Sequence, residues 1–216
     1  MRIPTPRGLS LAAELRQARG DAIIVMAHGF CSNRHSLGRF DELADQFQAL
    51  GHDVLTFDFS GCGESDPDVL TAATETEDLK AVIAYVREDL GFQRIALHGH
   101  SLGGTICLMA YDEGIETMVL TGTPTDAMHY DWLDYYGKRR LEQLERTGTL
   151  RIGPWVLNEQ SLLDFEQFDQ GALLSPVKCP VLLVHGGSPA DWEERELLTR
   201  SRRGLPMLPA GSRLDV

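Results

Sequence analysis

Short, uninterrupted apolar runs alternate with amphipathic helical patterns along most of this chain, and that alternation constrains its fold more than any other feature. Ile23-Ile24-Val25-Met26-Ala27 contains no polar residue and ends in His28-Gly29-Phe30. Such a run is too short for a buried helix and suits a strand covered on both faces. Phe40, Leu43, Ala44, Phe47 and Leu50 then recur at helical spacing, with Gly51 placed to end the helix. Val54-Leu55-Thr56-Phe57 reads as the next strand, broken by Gly61 and Gly63, and Leu79, Val82, Ile83 and Val86 as the next helix. Arg94 to Leu97 is a strand and Leu102 to Tyr111 a helix. Met118-Val119-Leu120 and Val181 to Val184 are further strands, Glu193 to Arg200 is helical, and Arg213 to Val216 starts a last strand.

Buried strands separated by helices imply an α/β fold: a mostly parallel sheet with helices on both faces and right-handed crossovers. In such sheets chemistry gathers at the carboxyl ends of the strands. The rhythm breaks between Thr123 and Pro176, a stretch rich in Tyr, Trp, Leu and acids. It is expected to form a small inserted cap over residues 123–176, leaving 1–122 and 177–216 as the two parts of one core domain.

A chain of 216 residues can bury a core without disulfides or metal. Cys31, Cys62, Cys107 and Cys179 form no closely spaced pair, so neither a zinc site nor a redox motif is expected. Thirty-two acids against twenty bases give a net charge of −12, which repels nucleic acid and anionic membranes. No window reaches membrane-span length, and the amino terminus has no apolar core of leader length. The expectation is a cytoplasmic protein with no metal, no cofactor and no nucleic-acid partner.

The chemistry-bearing motif is Gly99-His100-Ser101-Leu102-Gly103-Gly104, a Gly-x-Ser-x-Gly between a strand and a helix. A serine forced into that turn sits in a strained backbone, and side chains in place of the flanking glycines would collide with neighbouring strands. Ser101 is thereby exposed at the sheet edge, where the Leu102 N–H and the helix dipole can stabilise a developing oxyanion. No Lys follows the glycines as a phosphate-binding loop needs. His28-Gly29-Phe30 falls on the same edge and can aim the Phe30 N–H at that oxyanion. Asp58-Phe59-Ser60-Gly61-Cys62-Gly63-Glu64-Ser65 ends another strand and reads as supporting architecture.

With those three motifs in that order, the chain resembles the alpha/beta-hydrolase superfamily, most closely serine esterases of the monoacylglycerol-lipase-like and cinnamoyl/feruloyl esterase-like branches. The resemblance runs from about Arg7 to Val216, with Pro180 to Gly186 similar to the strand that precedes the family's acidic residue. It implies Ser101 as nucleophile, Phe30 and Leu102 as oxyanion-hole amides, and a triad in the order Ser, acid, His. The loop His185-Gly186-Gly187-Ser188-Pro189-Ala190-Asp191 offers Asp191 as the acid, two residues later than the usual pattern; Asp191 also suits a helix N-cap. Asp126, after the Met118–Leu120 strand, is the alternative.

The histidine expected after the last strand is missing. Histidines stand at 28, 35, 52, 98, 100, 129 and 185. Either Leu208 to Ser212 occupies the usual loop with the histidine lost, or Ser212 to Val216 is the final strand and the chain stops short of that loop. The alternation of Leu214 and Val216 with Arg213 and Asp215 favours the second. Without its base Ser101 keeps an ordinary hydroxyl and is a poor nucleophile. His28 and His100, near the nucleophile in sequence, and Tyr130 and Trp132, which open the insertion, are expected to line an apolar pocket above Ser101. The resulting expectation is a hydrolase of small carboxylic esters, weak or inactive over residues 1–216; the alternative is a non-catalytic small-molecule binding protein on the same scaffold.

Overall fold

The computed structural model describes all 216 residues. In chain order the elements are β1 (Arg2–Pro4), β2 (Ser10–Arg16), β3 (Ala22–Ala27), α1 (Arg39–Ala49), β4 (Asp53–Phe57), α2 (Ala72–Glu88), β5 (Arg94–His100), α3 (Leu102–Met109) and β6 (Ile115–Thr121). After them come α4 (Trp132–Tyr136), α5 (Lys138–Thr147), β7 (Leu150–Ile152), β8 (Trp155–Leu157), α6 (Glu159–Gln167) and α7 (Gln170–Leu174). The chain then adds β9 (Val181–Val184), α8 (Trp192–Gly204) and β10 (Arg213–Asp215). Eight strands form one sheet in the order β1-β2-β4-β3-β5-β6-β9-β10. From β4 to β10 every pairing is parallel, while β1 and β2 join antiparallel at one edge.

The period of two along each strand sorts the apolar residues between two faces. Ile23 and Val25, Ile95 and Leu97, and Met118 and Leu120 join Leu79 and Val82 of α2 and Ile106 of α3 in a cluster of 39 buried residues. On the opposite face Met26 and Val54 pack against Phe40 and Ala44 of α1. On that α1 side Ala96, Thr117, Val119, Leu182 and Val184 are only half-buried. The edge strands β1 and β2 escaped the sequence reading. Leu11, Ala12 and Ala13 of β2 are buried in succession, which blurs the alternation that would mark a half-buried strand.

The segment between β6 and β9 carries α4 to α7 and the β7–β8 hairpin. Its Leu144, Leu157, Phe165 and Leu174 belong to the same apolar cluster as the sheet, so the insertion has no core of its own. Polar ties complete the seam. The Leu70 N–H donates to the Val156 carbonyl at 3.1 Å. The Asp164 carboxylate accepts the Ala72 N–H at 2.6 Å, at a helix start where the dipole favours negative charge. No helix is long and apolar enough to cross a membrane.

Candidate active site

Ser101 occupies the turn from β5 to α3 with φ 53° and ψ −127°. This is a sparsely populated conformation for a residue with a Cβ, at a cost of about 1–3 kcal/mol. Hydrogen bonds hold the turn on both sides: the Ser101 N–H donates to the Thr121 carbonyl at 2.8 Å, and the Ser101 carbonyl accepts the Gly104 N–H at 3.0 Å. The glycines around it are required by contact. A Cβ on Gly99 would lie 2.6 Å from the Gly104 nitrogen, one on Gly103 2.8 Å from the Ala27 carbonyl carbon, and one on Gly104 2.8 Å from Thr123 Cγ2. Gly29 faces the serine itself, its virtual Cβ 3.1 Å from Ser101 Cβ. Thr121 and Thr123, which brace this turn from β6 and the residues just after it, were not singled out by sequence; no motif marks them.

Two amides near this turn have hydrogen-bonding capacity to spare. The Phe30 N–H donates to no acceptor in the chain, and Leu102 is the first residue of α3, whose N–H has no intrahelical acceptor. Cys31, at φ 49°, turns the chain sharply after Phe30.

His28 does not line the site. It has no exposed surface; its Nε2 accepts the Phe59 N–H at 3.2 Å while Nδ1 sits 2.9 Å from the Gly29 carbonyl. Those partners place the proton on Nδ1. Burial pushes the ring pKa down to about 4 against the pull of the Gly29 carbonyl and Asp58. His28 is thus a neutral brace joining the loop after β3 to the residues after β4. The glycine turn after β4 has a similar role. Asp58 is buried and accepts the Arg34 and Glu64 N–H groups at 2.6 and 2.9 Å, as well as the Arg34 guanidinium. A Cβ on Gly63 would strike that carboxylate.

His100 also turns away from the serine. Its Nδ1 is 3.0 Å from Thr121 Oγ1, and its ring lines a separate cleft with Arg39, Phe40 and His98. Burial, then the Arg39 charge, lower its pKa. His185, His129 and His35 are engaged elsewhere. Nε2 of His185 lies 2.8 Å from Ser201 Oγ, and burial lowers that ring to about 4; His129 lies 3.8 Å from Glu166 and His35 3.0 Å from Asp41.

Asp191 stands in the loop after β9, exposed, and caps α8: its Oδ1 accepts the Glu193 and Glu194 N–H groups at 2.9 and 3.1 Å. Asp126 pairs with the Arg203 guanidinium and accepts the Ala127 N–H at 2.9 Å. Of the two carboxylates, only Asp191 is without a cationic partner.

An open apolar pocket was expected between the insertion and the sheet edge, and the aromatic rings of the insertion pack against one another and against Phe30. Phe30 meets Phe165 edge-on at 5.2 Å, and Tyr130 meets Phe165, Trp132 and Trp192 at 5.3, 5.0 and 5.6 Å. The Tyr130 hydroxyl donates to Glu193 at 2.7 Å, tying the start of the insertion to the first turn of α8. Burial, with that acceptor, raises the Tyr130 pKa. Trp132 instead helps wall a cleft of about 800 Å3 inside the insertion, with Leu141, Leu144 and Leu162.

Residues 22–167 match the model of the alpha/beta hydrolase fold family. An uncharacterised 31.7 kDa protein from the traX-finO intergenic region of Escherichia coli is 37% identical over 103 residues, covering 45% of this chain and 35% of that protein. A 2-hydroxy-6-oxononadienedioate/2-hydroxy-6-oxononatrienedioate hydrolase of Burkholderia vietnamiensis is 33% identical over 144 residues, 64% of this chain and 49% of that one. The chain thus spans about a third to a half of the length of these curated relatives. Est1E from Butyrivibrio proteoclasticus, solved with ferulic acid, superposes over 100% of this chain and 88% of its own with a TM-score of 0.76 at 18% identity. With the sheet order, the strained serine turn and a family model covering most of its length in agreement, the chain belongs to the alpha/beta hydrolase family.

Proposed function

We propose that this chain carries the nucleophile and oxyanion-binding parts of a serine hydrolase acting on small carboxylic esters, with no metal or cofactor in the reaction. The observation that carries this reading is Ser101 held at φ 53° beside the two amides of Phe30 and Leu102 that lack acceptors in the chain. Ser101 Oγ attacks the ester carbonyl, and the two amides hold the oxyanion of the tetrahedral intermediate. Collapse expels the alcohol and leaves an acyl-serine, which water then hydrolyses to the free acid. A histidine takes the Ser101 proton and passes it to the leaving alcohol, with Asp191 orienting the ring. In this reading that histidine is supplied by the loop following β10, because His28, His100 and His185 are each held by other partners. Removing a member of such a triad leaves only the modest acceleration due to binding and the oxyanion donors. Residues 1–216 alone are therefore expected to turn over esters weakly or not at all.

The same histidine placement favours a second reading, a small-molecule binding protein on a hydrolase scaffold. Two measurements separate them. A natural coding sequence that continues past Val216 with a histidine in the following loop supports the enzyme; a stop codon at that point supports the binder. Turnover of short-chain nitrophenyl esters by residues 1–216, compared with Ser101→Ala, tests the base: robust turnover lost in the variant would refute its absence. A rate unchanged by the substitution would remove Ser101 from the mechanism.

A further inference from the structure

Behind the Ser101 turn, on the α1 side of the sheet, lies a cleft of about 150 Å3 lined by Ser36, Arg39, Phe40, Leu43, His98, His100 and Thr121. No carboxylate lines it, in a chain with a net charge of −12. His100 and Thr121 pair with each other, but His98 and the end of Arg39 have donors to spare. His98 is 3% exposed, is packed edge-on against Phe40 at 5.3 Å, and has no hydrogen-bond partner for its buried Nδ1. A neutral imidazole carries one N–H in either tautomer, and the buried Nδ1 of His98 meets no partner in the chain. Arg39 uses Nε on the Ser36 carbonyl at 3.2 Å, which leaves both terminal amines unpaired. The wall that supplies Ser36 and Arg39 is strained: Ser36 and Leu37, neither a glycine, have φ of 45° and 59°. Strain of that kind persists where the surroundings enforce it, and it clusters at ligand sites.

An ammonium or metal cation is disfavoured by the guanidinium and the missing carboxylates. A small oxyanion fits the donor set, the charge and the volume, since its oxygens accept from a guanidinium, an imidazole and a hydroxyl at once. We propose that this cleft binds a small oxyanion through Arg39, His98 and Ser36. The cleft is distinct from the ester site but adjoins it through Thr121. His100 contacts the Thr121 side chain, and the Thr121 carbonyl accepts the Ser101 N–H.

The test is a titration of residues 1–216 with inorganic phosphate and, separately, acetate, at fixed pH and ionic strength, following the imidazole resonances by NMR. Saturable shifts at His98 and His100, with His52 and His129 unmoved, are expected for at least one anion. Saturation by phosphate alone selects a tetrahedral oxyanion, and saturation by both extends the site to carboxylates. Arg39→Gln, at an exposed position, should weaken binding at least tenfold, with Arg39→Lys recovering part of it. Saturation by neither anion, equal shifts at all histidines, or an unchanged titration in Arg39→Gln would each overturn the proposal. Because none of these readouts uses ester turnover, failure here leaves the hydrolase reading intact, and the reverse also holds.

Discussion

Replacing Ser101 by glycine and by alanine isolates the strain in its turn. Both substitutions remove the hydroxyl, but alanine keeps the Cβ that makes φ 53°, ψ −127° costly, while glycine does not. The strain relieved is about 1–3 kcal/mol. Against it stands the extra backbone entropy that glycine loses on folding, about 0.5–1 kcal/mol. Hydrogen bonds should not change, since the turn is held through the Ser101 N–H and carbonyl rather than through its side chain. The net expectation is that Ser101→Gly is more stable than Ser101→Ala by about 1 kcal/mol, or about 2–4 °C in Tm for a chain of this size. Urea unfolding of the two variants supplies the number, and an unchanged m-value shows that the comparison is of stability alone. A glycine variant no more stable than the alanine variant would refute the claim that this turn stores strain.

Gly104→Ala should destabilise by about 1–3 kcal/mol through overpacking, because its methyl would lie 2.8 Å from Cγ2 of the fully buried Thr123; the shift in urea midpoint checks it. Asp191→Ala should cost about 0.5–2 kcal/mol by uncapping α8, whereas Asp191→Asn keeps the cap at little cost; equal losses in thermal unfolding would contradict the capping geometry. Glu75 is buried without a hydrogen-bond partner, and burial, reinforced by Asp78 and Asp164, raises its pKa well above the ordinary carboxyl value. The folded chain therefore keeps a proton that the unfolded chain releases above about pH 4.3, so the group's stabilising contribution is complete below that pH and is lost as pH rises toward the folded value. Glu75→Gln should flatten this decline, gaining stability relative to wild type between pH 4 and 7 on the order of what the unpaired carboxyl costs; parallel stability–pH curves for the two proteins would contradict the assignment.

The elements most legible in the sequence are those whose residues answer to local rules. Val181 to Val184 could be bounded to the residue because an apolar run flanked by proline and by histidine-glycine has few alternatives. Ser101 could be placed because close packing around its turn admits only glycine at 99, 103 and 104, and that demand is written as a motif. The edge strands were less legible, since β2 depends on pairing with β4 across the intervening β3 in sequence, β1 pairs only with β2, and a three-residue strand has almost no local pattern.

From the sequence alone followed the α/β class, the position of the serine and the candidate amides, all consequences of spacing along the backbone. Only the tertiary structure decided where side chains point. His28 and His100 flank the serine motifs in sequence, yet one is buried as a brace under Phe59 and the other turns across β6 toward Thr121. Tyr130 and Trp132, expected to line an open pocket, pack against Phe165 and each other. A strand's period of two says which face a residue takes, but not which distant partner satisfies its hydrogen bonds or fills the space beside it. Those partners come from other elements, and the same packing that made His28 and His100 structural left His98 and Arg39 with donors to spare.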